Sequence, residues 1–238
     1  ILMVRIKPIN ITFGVPYQHR MFIEPKNNKG WIEVVCGSMF SGKTEELIRR
    51  VKRARIANLK IRIFKPKMEI RYDKVKVVSH DDNYLDSFPV DNAEEILRWI
   101  DDIEVIGIDE AQFFDQGLPA VADKLANMGK RVIIAGLDLD YLGKPFGVMP
   151  DLIAMAEYVT KVHAICMHCG DVAQYSYRFT KSGGQVQLGE RDKYEPRCRT
   201  CFTKGMASQQ AGKRRKGLRK IDSGHSVEST KRIAQLSI

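Results

Sequence analysis

The apolar positions of this chain change their pattern along its length, and the change divides it. From Trp31 to Lys161, short unbroken apolar runs alternate with longer amphipathic stretches. Ile32–Cys36, Ile61–Lys65, Glu104–Ile108 and Arg131–Ala135 read as strands, the third apolar and the last buried. Residues 44–58, 92–100 and 118–128 read as helices, the second capped by Asp91 or Asn92 with Glu94 and Glu95 in its first turn. Residues 66–90 read as polar and irregular, with Pro66, an Asp81-Asp82 pair and Pro89. Strands alternating with helices predict an α/β fold, a parallel sheet flanked by helices, with ligands beyond the C-terminal ends of the strands.

After Lys161 the alternation gives way to strand-like runs with cysteine pairs, which sets a boundary near residue 162. From Gly205 the apolar periodicity fades into Ser, Gly, Lys and Arg. Four segments result. Residues 1–30 are an N-terminal extension read as a disordered leader, and 31–162 an α/β nucleotide-binding domain. Residues 163–205 are a small metal-binding domain, and 206–238 a basic disordered tail whose removal from residue 207 should leave catalysis intact.

Residues 37–44, Gly-Ser-Met-Phe-Ser-Gly-Lys-Thr, form a G-x-x-x-x-G-K-T loop between a strand and a helix. The alternative is a Gly/Ser turn before an ordinary helix; the strand–loop–helix context favours a phosphate cradle. Its glycines let consecutive N–H groups face a phosphate, and the helix N-terminus adds partial positive charge. Lys43 would reach the β- and γ-phosphates, and the Thr44 hydroxyl would bind Mg²⁺.

Val105-Ile-Gly-Ile-Asp109-Glu110 is an apolar strand ending in two acids. Asp109 is the candidate to hold Mg²⁺ and Glu110 the candidate general base, against the alternative of a surface acid pair. The pattern does not separate a kinase from an ATPase, in which the same Glu would orient water.

Cys166-x-x-Cys169 and Cys198-x-x-Cys201, 28 residues apart, offer four thiolates. Two short hairpins presenting them would make a closed tetrahedral Zn²⁺ site, structural in role, anchoring a long loop that contains Ser182-Gly-Gly184. Redox pairs are the alternative, and His163 or His168 could replace a ligand. Cys36 reads as a small core residue. Phe113, Tyr141 and Phe146 follow strand ends on the active edge, where flat rings could sandwich a base.

The net charge of +10 invites a nucleic-acid reading, so its location matters. Residues 1–30 carry five Lys/Arg against one acid, and 206–238 carry eight against two. The remaining 31–205 holds 26 of each sign, so the body lacks the basic face of a duplex-gripping surface. No signal peptide and no run of eighteen apolar residues is visible, which points to a reduced cytoplasmic setting and no membrane partner.

GSMFSGKT, then IGIDEAQFF, then GLDLDYLGKPFG, then CMHC…DKYEPRCRTC, in order over about residues 31 to 203, resemble the cellular-type (type II) thymidine kinases. The resemblance implies ATP-dependent transfer of the γ-phosphate to the 5′-hydroxyl of thymidine, with deoxyuridine a further substrate. It makes Glu110 the proton acceptor. Gly37, Ser38, Met39, Phe40, Ser41, Gly42, Lys43 and Thr44 become the ATP loop, and Asp109 to Gln112 the second phosphate and Mg²⁺ segment. Met39, Phe113, Leu137, Tyr141 and Phe146 match the thymine pocket. Ser176 matches a base-contacting position that is often Thr, and Tyr141 one that is often Phe. Gln185, Val186, Gln187, Leu188 and Gly189 match the stretch whose backbone meets the thymine edge, and Tyr194 a substrate-contacting Tyr. The metal would thus anchor a lasso over the nucleoside. Arg71 resembles an Arg that approaches the phosphates. A homotetramer and feedback inhibition by thymidine triphosphate are implied as well.

Two other function classes fit the sequence less well. A nucleic-acid-stimulated ATPase with a zinc ribbon is disfavoured by the neutral body, and a binding module with a dead loop would need damage at Lys43, Thr44 or Asp109, which are intact.

Overall fold

The computed structural model describes residues 29–67, 76–77, 85–179 and 193–211. Arg71 and Gln185 to Gly189 lie outside them. The strands are β1 (Trp31–Gly37), β2 (Ile61–Pro66), β3 (Lys76–Val77), β4 (Leu85–Val90), β5 (Val105–Ile108), β6 (Arg131–Leu137) and β7 (Tyr158–Lys161). They form one sheet in the order β3-β4-β2-β5-β6-β1-β7. All neighbours pair in parallel except β3 with β4, so the α/β expectation holds.

Alternate side chains of β1 serve different cores. Ile32, Val34 and Cys36 join a cluster with Leu118, Val121, Leu125, Met149 and Leu152, from helices α2 (Leu118–Asn127) and α3 (Met149–Met155). Val35 turns to the other face and meets Leu47, Ile48, Val51 and Ala54 of helix α1 (Lys43–Ile56). Burying Leu47 and Val51 completely is worth about 1.5–3 kcal/mol each, which sets α1 firmly on the sheet. Glu33 also faces α1, buried as a charge: it accepts from Arg50 Nη1 at 2.8 Å, Arg131 Nε at 2.7 Å and Trp31 Nε1 at 2.7 Å. Two guanidinium groups around one carboxylate satisfy a group that would otherwise be costly to bury.

Three stretches depart from the sequence expectations. Leu85–Val90 lies in a region read as irregular, yet it is β4, paired with β2 so that Lys65 opposes Pro89. Pro89 is tolerated because β3 covers only Leu85 and Asp86, leaving Pro89 at an open edge among the described residues. The run after Asn92, whose side chain accepts from Glu95 N at 3.0 Å as a cap should, tightens into a 3₁₀ helix (Ala93–Trp99) instead of an α-helix. Residues 149–161 supply α3 and β7, which the sequence pattern did not announce; four residues on a mostly exposed edge carry no burial alternation.

A smaller unit follows. Strands β8 (Ala164–Ile165) and β9 (Val172–Ala173) form one hairpin, and β10 (Tyr175–Arg178) pairs antiparallel with β11 (Tyr194–Arg197). A helix, α4, covers residues 199–211 and so runs past position 206, where the tail was expected to begin. Phe202, Gly205, Met206 and Gln209 fall at i, i+3, i+4 and i+7, an inward stripe that the glycine and glutamine in it hid from the sequence.

Candidate active site

The C-terminal edge of the sheet brings β1, β5 and β6 to one place. After Gly37 the loop turns through Gly42, whose φ of 82° is natural for glycine, and α1 begins at Lys43. Ser41 Oγ and Lys43 Nζ both donate to the Ser38 carbonyl, each at 2.7 Å, which holds the loop curled. Ser38 Oγ is buried without a hydrogen-bond partner, a polar group of the kind a phosphate oxygen would satisfy. The loop therefore fits the phosphates the sequence assigns to it.

The Thr44 hydroxyl reaches the Asp109 carboxylate at 3.2 Å and 3.4 Å, from the end of β5. A hydroxyl and a buried carboxylate this close are the donor set a hard cation takes. Burial, and then the charge of Glu110, push the Asp109 carboxyl up to about 7, against the pull of the Glu110 N–H, Lys43 and the Thr44 hydroxyl. Burial pushes Lys43 down, with Glu110 and Asp109 the main charges opposing it. Two acids, Asp109 buried and Glu110 exposed, against one lysine leave room for further positive charge.

Glu110 is set apart by its backbone. Its φ of 53° and ψ of 40° place it in the left-handed region, which a non-glycine residue enters at a cost of about 1–3 kcal/mol. Its Oε2 accepts from Gln112 Nε2 at 2.5 Å, while Gln112 Oε1 accepts from the Leu137 N–H at 2.9 Å. Gln112 is buried, so the carboxylate is tied through one amide to the end of β6. The sequence placed Gln112 among nucleotide contacts; its side chain is occupied with Glu110 and Leu137.

Several of the residues matched to the thymine pocket gather beside this edge. Phe113 and Phe146 meet edge-on, with centroids 5.6 Å apart. Ser176 Oγ accepts from the Met39 N–H at 3.0 Å, joining the loop after β1 to β10. Tyr141 lies under the guanidinium of Arg178, 3.5 Å from its ring centroid. Tyr194 is buried on β11 opposite Arg178. Arg178 was not singled out from the sequence; alternation with Ser176 on one strand was the signal that could have found it.

The four cysteines converge, with all Sγ atoms within 4.8 Å of one another. Sulfurs ~2.3 Å from a central Zn²⁺ would stand about 3.8 Å apart, and Cys169 and Cys198 Sγ stand at 3.6 Å. Hydrogen bonds with the neighbouring Cys198 and Cys169 sulfurs push the Cys201 thiol up to about 12, holding a proton that a coordinated divalent cation would displace. The set fits structural zinc. The first pair sits in the β8–β9 hairpin, as expected. The second is not in a hairpin: Cys198 follows β11 and Cys201 occupies the first turn of α4, where a three-residue step returns both sulfurs to one side. His168 instead pairs with Glu195 at 3.4 Å. Cys36 is buried, and burial, then Asp138, raise its thiol to about 11, in keeping with a core role.

The thymidine kinase family model matches residues 30–202. A thymidine kinase of Rhodothermus sp. (strain ITI 518) is 61% identical over 173 residues, covering 73% of this chain and 81% of the relative. One from Porphyromonas gingivalis (strain ATCC 33277) is 57% identical over 176 residues, covering 74% and 86%. One from Bacteroides fragilis (strain YCH46) is 55% identical over 184 residues, covering 77% and 92%. Loop, acid pair, cysteine cluster and these matches lead to one assignment: the chain belongs to the thymidine kinase family and is a kinase enzyme.

Proposed function

We propose that this enzyme transfers the γ-phosphate of ATP to the 5′-hydroxyl of thymidine, giving thymidine monophosphate and ADP in pyrimidine salvage. The observation that carries the reading is the placement of Glu110, fixed by Gln112 next to the Asp109–Thr44 pair and the phosphate loop. Glu110 takes the 5′-hydroxyl proton as that oxygen attacks the γ-phosphorus, and the bond to the β,γ-bridging oxygen breaks. Lys43 and the loop N–H groups offset charge on the departing ADP. Thr44 and Asp109 would hold Mg²⁺, which supplies charge neutralisation at the phosphates when bound. Met39, Phe113, Leu137, Tyr141, Phe146, Ser176 and Tyr194 line the nucleoside side, aligning the hydroxyl. Arg71 and Gln185 to Gly189 are proposed contacts on the strength of the resemblance.

Deoxyuridine is a second substrate on this reading, since it shares the pyrimidine edge that backbone groups would recognise. The family resemblance supports a homotetramer, feedback inhibition by thymidine triphosphate in the same pocket, and a cytoplasmic setting. No helix among the described residues is long and apolar enough to cross a membrane. The test is incubation with ATP and a panel of nucleosides, with product identified by mass. Thymidine monophosphate and stoichiometric ADP are expected; ATP hydrolysis without a phosphorylated nucleoside would overturn the reading.

A further inference from the structure

We propose that the last turns of α4 brace the nucleoside side of the active site, and that Gln209 is a positioning residue for thymidine affinity. This rests on the proposed nucleoside roles of Tyr141 and Ser176.

Strand β10 alternates. Ser176 and Arg178 point one way, Ser176 to Met39 and Arg178 onto Tyr141. Tyr175 and Tyr177 point the other way, onto α4. The Tyr175 ring stacks on Phe202 with centroids 4.4 Å apart, and Tyr177 meets Phe202 edge-on at 6.3 Å. Leu139, from the loop that carries Tyr141, packs on the same three rings, as does Met206 of α4. The helix thus supports both the strand bearing Ser176 and the loop bearing Tyr141.

Gln209 closes this contact. Its Nε2 donates to Tyr177 Oη at 2.8 Å and to the Arg178 carbonyl at 2.9 Å. Tyr177 in turn donates its hydroxyl proton to the Gly205 carbonyl at 3.3 Å. A side chain at position 205 would meet the Tyr177 ring at 2.7 Å, so glycine allows the close approach. One amide therefore fixes the backbone at Arg178, whose guanidinium covers Tyr141. Gln209 lies beyond residue 202, where the match to the family model ends.

The experiment uses the full-length protein. Gln209→Met keeps the side-chain volume and removes both donated hydrogen bonds. It should raise the KM for thymidine about fivefold, with the KM for ATP, kcat and zinc content near wild type and only a small drop in Tm. Tyr177→Phe should give a shift of the same kind, and the double variant should fall short of the product of the two. An unmoved thymidine KM in both variants of an enzyme that phosphorylates thymidine would sink the brace alone. A parallel loss of affinity for both substrates with a lowered Tm would mark a general packing role and overturn it too. A wild-type enzyme that leaves thymidine unphosphorylated would bring down the site reading and the brace together.

Discussion

The backbone N–H of Met39 donates to the hydroxyl of Ser176, 137 residues later, at 3.0 Å. Through this bond the phosphate loop touches the strand that the cysteine cluster helps to hold. Ser176 is buried, so its hydroxyl is shielded from water where it accepts from that amide. Ser176→Ala leaves a part-buried donor without its acceptor, at a cost of about 1–3 kcal/mol. Calorimetry should show a lowered Tm, while Ser176→Thr, which keeps the oxygen, should stay near wild type. Equal Tm losses in both variants would show that the hydroxyl is not what matters.

Glu110 combines a strained backbone with the placement proposed for the base. Glu110→Gln retains the shape and should still fold and bind ATP, yet turnover of thymidine should drop about 10²–10⁴-fold, the usual contribution of a positioned base. Gln112→Leu should lower kcat more than it raises either KM, because the carboxylate loses its tether to Leu137. Steady-state kinetics on both variants checks this, and near-full turnover in Glu110→Gln would remove the residue from the mechanism.

The Asp109 carboxyl stands at about 7, against an ordinary value of about 3.9 for an exposed Asp. Between those values the unfolded chain has released the proton and the folded chain retains it. The stability of the protein free of nucleotide and magnesium therefore falls as pH rises from about 4 to about 7, then levels off. Asp109→Asn lacks this contribution. Its Tm should exceed that of the wild type most clearly above pH 7, with the gap closing toward pH 4, and its kinase activity should be lost. Thermal melts across that range decide the matter; a gap independent of pH would show that ionisation of Asp109 is not its source.

Four thiols within 4.8 Å imply one tightly held Zn²⁺ per chain. Elemental analysis should find close to one equivalent. Its removal by a chelator should lower Tm and abolish activity, since β8, β9, β11 and α4 meet at the cluster. Cys201→Ser should do the same in milder form. Full activity in metal-free protein would contradict a structural role.

The position of α4 moves the cut at which the basic tail becomes dispensable. Ending the chain after Ala211 should leave thymidine phosphorylation unchanged. Ending it after Met206 removes Gln209 and should raise the KM for thymidine. Identical kinetics from the two truncations would return the boundary to the place the sequence suggested.

The local chemistry of this protein was legible residue by residue. Gly37 to Thr44, the Asp109-Glu110 pair and the two cysteine pairs each work through short spacings, because a phosphate loop, a strand-end acid and a metal knuckle are built by neighbours in the chain. The buried strands β1, β5 and β6 were equally plain, since a strand covered on both faces is mostly apolar. Strands β4 and β7 were not. One carries a proline that only an open edge tolerates, and the other is too exposed to alternate.

What the sequence alone determined is which groups are present: a G-x-x-x-x-G-K-T loop, a strand-end acid pair, two cysteine pairs and the order of the elements that carry them. What tertiary structure decided is how they are held. The amide of Gln112 between Glu110 and Leu137, the bond from Met39 to Ser176, and the grip of Gln209 on β10 all join residues from separate elements. The physical reason is that such bonds depend on where packed strands and helices bring distant side chains within about 3 Å, a distance that no periodicity or spacing encodes.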